Sequence, residues 1–579
     1  MPDLPPLPSI PAWEWMQKYQ SQYLLGDITA GIVVTSLLIP QSMAYALLAG
    51  LPPQVGLYAS IVPTIAYPLF GTSKVLAVGP VAVSSLMVAA AIAKLAPQGT
   101  TEYLTLALTI AFLVGAIAVM MGILRMGFLV NFLSRSVISG FISGALIIVI
   151  VSQIDHLLGL GVPATTSFIE ALMKTLGLMT HINRTTSILG LTSVSILLYF
   201  NQPLVDWLKH LGWSDAQILP ISKGAPLLVV IFGTLMTFVW RLDQTEGVEI
   251  VGAIPAGLSG LTIPILDLET WQTLLSAALA IAIVGYMEGF AGGQAIASKS
   301  RERIDPNQEL IAFGIANIGA AFSGGYPVTG AVSRSMVSFS AGANTGLASM
   351  ITGVFAIITL MFFTSWFYFL PQTCLAAIII TAVYKLIDFA TLKRMWNYDK
   401  ADAIAWIATF ATVLLWDVQA GIIFGAIIAI ALHLYRTSQP HIAIVGRIED
   451  SSDFRDILHH EVKTNPQVLA IRIDANLYFA NAQYVQNFLN QAIRDRPEVT
   501  SILLVCSAIN FIDTSSLEML ESLIATLNPL NINFYFSEIK SPVMEKLEHI
   551  GFVDLVGRDR FFLSTDIAMH KLVISTCAK

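Results

Sequence analysis

The sequence predicts a multi-pass α-helical membrane domain of fourteen segments, arranged as two inverted sevens, followed by a small α/β domain. Three observations predict it. Hydrophobic residues make up 55% of the chain and charged residues only 12%, far too apolar for a soluble globular protein. The apolar runs end near Arg436, and the tail from Pro440 to Lys579 returns to ordinary charge density, which implies one membrane and one soluble domain. Finally, Ala82-Val83-Ser84 with Met87-Val88, just after Pro80, recurs 249 residues later as Ala331-Val332-Ser333 with Met336-Val337, just after Pro327 and Gly330. Each copy is a Pro/Gly turn opening an apolar run too short to cross a bilayer, which describes a half-helix starting inside the membrane.

The expected domains are a lead-in at 1–26, a transmembrane domain at 27–437 and a soluble domain at 438–579. The lead-in carries Pro2, Pro5, Pro6, Pro8 and Pro11 before Trp13 and Trp15, without the basic-then-apolar order of a cleaved signal. Hydropathy places the segments at 29–49, 55–70, 80–94, 101–122, 130–158, 185–201, 225–240, 271–289, 309–321, 330–340, 346–368, 372–385, 400–416 and 418–436, several broken by Pro or Gly. Residues 165–178 read as an amphipathic surface helix. The loop from Arg241 to Glu269 carries Asp243, Glu246, Glu249, Asp267 and Glu269, which suits the outside. Lys299, Arg301 and Arg303, and then Lys393, Arg394 and Lys400, mark inside loops, so both termini are expected in the cytoplasm. Seven segments per half is an odd number, so the halves are inverted, and the twin motifs fall on the third and tenth segments. In the tail, 468–474, 501–506 and 533–536 read as strands, and 481–494 and 515–527 as helices.

A net charge of −7 with no basic block excludes nucleic-acid binding. Cys374, Cys506 and Cys577 are too far apart for a disulfide framework or a thiolate metal site. No cofactor or metal is expected, and no enzyme: the chain has no phosphate-cradling Gly-rich loop with its lysine, no zinc-spaced His pair and no nucleophile elbow.

Charge at depth costs on the order of 2.5–3.5 kcal/mol by insertion scales, so a membrane protein that keeps one usually uses it. Arg334 stands in a stretch, 328–346, with no other charge, at the position that matches Ser85 in the echo. At the start of a half-helix it can attract an anion together with Ser333, the free amides, and the facing helix end near Ala82, Val83 and Ser84; a structural cation paired to Glu288 or to a lipid phosphate is the alternative. Glu288, near the end of the eighth segment in the small-residue run from Gly285 to Gly293, is a candidate proton-coupling carboxylate or a packing group. Gln41 follows Pro40, so its amide can bind substrate oxygens or satisfy backbone that the proline frees. Tyr45, Tyr326 and Thr329 are candidate cavity-lining residues, though aromatic packing and turn formation explain them equally well and a structural role is favoured.

Ile39-Pro-Gln-Ser-Met-Ala-Tyr-Ala46 with Gly56-Leu-Tyr58, Gly71-Thr-Ser73, Ala77-Val-Gly-Pro-Val-Ala82, Gly325-Tyr-Pro-Val-Thr-Gly-Ala-Val-Ser-Arg-Ser335 and Ser340-Ala-Gly-Ala343 resemble the SulP/solute carrier 26 anion transporter family over nearly the whole chain. The resemblance implies two inverted sevens forming core and gate domains, a cytoplasmic STAS domain, and often a homodimer. The Tyr326-to-Ser335 pattern and Glu288 are most similar to proton-coupled sulfate permeases. Carried over by position, substrate contacts fall at Gln41, Ala82, Val83, Ser84, Val332, Ser333 and Arg334, with Glu288 coupling the proton. Asn510-Phe-Ile-Asp-Thr-Ser-Ser-Leu517 resembles the STAS loop that carries a phosphorylated residue, here Thr514, but Ser516 replaces the usual glycine, which favours a loop that caps the next helix.

The expected function is secondary active transport of a small oxyanion, sulfate first, coupled to H+ by alternating access across the cell membrane, with protein partners possible through the STAS domain. The rivals are a sodium-dependent bicarbonate carrier or a dicarboxylate or chloride exchanger on the same fold, and behind them a STAS-based sensor or scaffold. Glu288 departs from the aspartate pattern of the bicarbonate members.

Overall fold

The computed structural model describes residues 10–131, 134–162, 168–300, 302–416 and 418–577. The prolines before Ile10, the expected helix start at 165–167, Arg301 and the side chains of Lys299 and Cys577 lie outside the described residues. The chain divides into two compact units, Met1–Ala429 and Ile430–Lys579; the division falls within the helix Val418–Ser438.

In the first unit each expected segment has a helix: Leu24–Leu48, Val62–Phe70, Ala82–Ile92, Thr101–Ile123, Arg135–Leu158, Arg184–Asn201, Ala225–Trp240, Leu268–Ser300, Pro306–Phe322, Val332–Ser340, Leu347–Phe362, Gln372–Val383, Lys400–Leu415 and Val418–Ser438. Two expectations need correction. The second segment is broken, with Pro53–Tyr58 preceding Val62–Phe70, because Pro53 and Pro63 each open a new helix at its first turn. The eighth runs on to Ser300, past the glycine run, so Glu288 is interior to it rather than near its end. The third and tenth segments are 11 and 9 residues long. At 1.5 Å per residue they rise about 17 Å and about 14 Å, each roughly half of a 30 Å hydrocarbon core.

The packing repeats itself across the two halves. The first segment packs on the eleventh as the eighth packs on the fourth, and the fourth on the ninth as the eleventh on the second. The first touches the tenth as the eighth touches the third, and the fifth touches the thirteenth as the twelfth touches the sixth. Advancing each partner by seven segments reproduces the set, the relation expected of a two-fold internal repeat, which seven segments per half, an odd number, makes an inverted one. At the crossing, β1 (Val78–Gly79) pairs antiparallel with β2 (Thr329–Gly330), Val78 opposite Gly330 and Gly79 opposite Thr329. This two-residue ladder joins the starts of the two half-helices.

The second unit is an α/β domain. To the three strands read from sequence it adds β3 (Ile442–Arg447), β4 (Phe454–Asp456) and β8 (Phe561–Phe562); with β5 (Val468–Ile473), β6 (Ser501–Val505) and β7 (Asn533–Ser537) the sheet order is β4-β3-β5-β6-β7-β8. Strands β5 to β8 run parallel. Leu469, Ile471, Ile502 and Leu504 face the helices Phe479–Arg494 and Thr514–Leu527, while Val468, Ala470 and Leu503 face Ala568 and Leu572 of the last helix. Burial on both faces explains why these strands read as continuous apolar runs.

Candidate functional site

The site is built on two uncapped helix ends. The third segment starts after Val81 and the tenth after Ala331, and neither N-cap side chain accepts a hydrogen bond, since Val and Ala carry no acceptor. The first helical turns are Ala82, Val83, Ser84 and Val332, Ser333, Arg334, whose N–H groups have no acceptor within their own helix. Partial positive charge is therefore directed from both sides toward the β1–β2 ladder.

The matching of the two copies needs a correction. Sequence identity aligns Ser85 with Arg334, but structurally Ser85 corresponds to Ser335. The Ser85 hydroxyl donates to Val81 O at 2.8 Å and the Ser335 hydroxyl to Ala331 O at 2.7 Å, each the N-cap carbonyl of its own helix. Arg334 is therefore the counterpart of Ser84. One residue separates the registers: two positions lead from Gly79 to the cap Val81, but one leads from Gly330 to Ala331.

Arg334 is 1% exposed. Its Nη1 donates to Gln41 Oε1 at 3.3 Å, and its Nε and Nη2 are buried without partners. Gln41 thus holds the arginine, neither of the roles the sequence suggested. The absent side chain of Gly79 makes room for the guanidinium, since a Cβ there would lie 3.2 Å from Nη2. Ser84 is buried, and Val332 and Ser333 are exposed. Glu288 Oε2 is buried without a hydrogen-bond partner, and no ion pair within 4.0 Å joins Glu288 to Arg334. The eighth segment reaches the ladder through its glycines: a Cβ on Gly285 would meet Thr329 at 3.4 Å, one on Gly289 would meet Gly330 N at 3.1 Å, and one on Gly292 would meet Val332 at 2.9 Å. Small residues at this spacing let backbones approach closely, and they bring Glu288 to the level of the half-helix starts. Thr329 donates its hydroxyl to Gly285 O, Tyr326 Oη lies 2.9 Å from Ser85 Oγ, and Tyr45 is buried nearby.

Sequence reasoning missed two buried carboxylates. Asp27 Oδ1 accepts from Asn344 N at 2.7 Å and Thr345 N at 3.1 Å, and Oδ2 accepts from the Thr345 hydroxyl at 2.7 Å. Glu309 Oε1 accepts from Thr72 N and its hydroxyl, both at 2.7 Å, and from Ser73 N at 3.3 Å; Oε2 accepts from Tyr67 Oη at 2.6 Å. Asp27 fixes the loop after the tenth segment, and Glu309 the loop before the third. Position near a segment end disguised both, although the Gly71-Thr-Ser73 motif carried the partners of Glu309.

In the second unit Asp513 caps the helix Thr514–Leu527, accepting from Ser516 N at 2.8 Å and, through its other oxygen, from Phe479 N at 2.7 Å. Thr514 is exposed in the first turn and Ser516 is fully buried.

Residues 24–409 match the sulfate permease family, and residues 459–568 match the STAS domain. The chain is 33% identical to the Arabidopsis thaliana protein named sulfate transporter 4.1, chloroplastic, over 97% of this chain and 82% of that one. It is 30% identical to high affinity sulfate transporter 2 of Stylosanthes hamata, over 96% and 85%. The fold matches murine solute carrier 26 family member A9, an anion transporter solved in the inward-facing state, with TM-score 0.89 and 24% identity over 98% of this chain and 94% of that one. The transmembrane domain of a cyanobacterial bicarbonate transporter matches with TM-score 0.60 and 22% identity over 71% and 98%.

Proposed function

The chain belongs to the sulfate permease family, membrane anion transporters here joined to a STAS domain, and from that membership we propose that it carries sulfate across a membrane together with a proton. The observation that carries the reading is Arg334, buried in the first turn of one half-helix, with two nitrogens unpartnered, facing a second uncapped half-helix. The charges support a dianion. Arg334 supplies one positive charge and each helix end about half of one, roughly two in all, matching sulfate. An ionised Glu288 at the same depth would leave the loaded site one negative charge in excess, and a proton on Glu288 removes that excess. Sulfate accepts hydrogen bonds from the amides of Ala82 to Ser84 and of Val332 to Arg334, and from the hydroxyls of Ser84 and Ser333, with Tyr45, Tyr326 and Thr329 lining the space.

Alternating access follows from moving this site as a unit, because the ladder and the clamps at Asp27 and Glu309 tie the half-helices to one group of segments. The loop charges support cytoplasmic termini, and a homodimer is part of the reading. The Asp513 cap supports a structural role for the loop bearing Thr514.

Uptake by the purified protein in liposomes tests the proposal. Arg334→Ala should weaken sulfate binding by about 10- to 150-fold, the equivalent of roughly 1.5–3 kcal/mol for a charge-assisted contact; unchanged affinity would refute the site. Glu288→Gln should abolish uptake driven by a pH gradient while sparing sulfate exchange. Gradient-driven uptake that survives in Glu288→Gln would remove Glu288 from the coupling role.

A further inference from the structure

A groove of about 840 Å³ lies along the first, seventh and eleventh segments, and Arg334 is not among the residues that line it. Its wall includes Ile231, Leu235 and Phe238 of the seventh segment and Trp366, each more than half exposed. In a membrane-spanning unit such a surface meets lipid, not water. Fit and polar anchoring therefore decide what stays in it, because lipid tails are as apolar as leucine and transfer from bilayer to groove gains no hydrophobic energy.

The anchor is Arg241. It ends the seventh segment directly after Trp240 in the left-handed conformation, with φ 49°. Its guanidinium carbon lies 5.9 Å from the ring centroid of Phe238 and 5.5 Å from that of Phe369, both of which line the groove. The residue is exposed, and no carboxylate among the described residues pairs with it within 4.0 Å. Exposed Trp240 and Trp366 accompany it, the composition of a membrane–water boundary. From Leu227 to Phe238 the helix rises about 16 Å at 1.5 Å per residue, close to one leaflet of a 30 Å core.

We propose that this groove is a binding site for one phospholipid, an acyl chain lying along the seventh segment and the headgroup phosphate paired with Arg241. Arginine suits the task because its fork donates two hydrogen bonds to a phosphate. The groove also touches Ile39, two residues before the Gln41 that holds Arg334, so its occupant contacts the helix that orients the anion site.

Native mass spectrometry of the full-length protein, titrated with dioleoyl-phosphatidylglycerol, tests the proposal. One saturable lipid per chain is expected, weakened about tenfold in Arg241→Gln and lost in Ile231→Trp, whose ring obstructs the path of the acyl chain along the seventh segment. Should Ile231→Trp fail to fold, the Arg241→Gln titration decides alone. Unsaturable adducts equal in wild type and Arg241→Gln would overturn the site. So would displacement of the lipid by inorganic phosphate, which would mark a free-anion site, or a disulfide-linked dimer of Ile231→Cys in vesicles, which would place a second copy of the chain there.

Discussion

Ser335 shows how one hydroxyl sets the geometry of the proposed anion site. It donates to Ala331 O and accepts from Ala77 N at 2.9 Å, stitching the first turn of the tenth segment to the strand before the third. Ser335→Ala leaves the buried Ala77 N–H without its acceptor, a loss of roughly 1–3 kcal/mol. The expected result is a lower melting temperature of the membrane unit and a raised KM for sulfate, both read on purified protein; Ser335→Thr, which keeps the hydroxyl, should recover part of each. At this scale the sequence was legible where a residue's type announced its cost, as with a lone arginine in an apolar stretch. It was illegible for Asp27 and Glu309, whose partners stand 317–318 and 236–242 residues away. No local pattern encodes such a pairing.

Among the elements, the junction of the first and second segments is the tightest. Pro40 deprives the first helix of one hydrogen bond, and shortly after it Ser42 O faces Gly56 so closely that an added Cβ would lie 1.9 Å from that oxygen. Backbone cannot give way as a side-chain tip can. Gly56→Ala should therefore cost at least the roughly 1–3 kcal/mol typical of overpacking and displace Gln41, on the same turn, from Arg334. Size-exclusion profiles and sulfate affinity would check it; a monodisperse variant with unchanged affinity would show that the contact relaxes harmlessly. Hydropathy found the segments because burial in lipid is a local demand on composition. It missed the break between Tyr58 and Val62, which lies inside one apolar run, and the helices Pro203–His210 and Asp215–Lys223, whose mixed composition gives no such signal.

For the whole molecule, two compact units with separate cores predict separable unfolding. Leu504, on β6, is fully buried in the core of the second unit. Leu504→Ala should cost about 2–5 kcal/mol there, lowering one thermal transition by several degrees while leaving the membrane unit's transition and sulfate affinity in place; a single merged transition would refute the separation. By itself the sequence determined the membrane class, the order of the segments, the half-helices and the family motifs, because each is written in the composition of a short window. Only the tertiary structure decided that Ser84, not Ser85, is the counterpart of Arg334, that Gln41 holds the guanidinium, and that Glu288 lies level with the half-helix starts. Those facts depend on where two inverted halves meet, and a one-residue difference beside Pro80 shifts that meeting without disturbing the sequence echo.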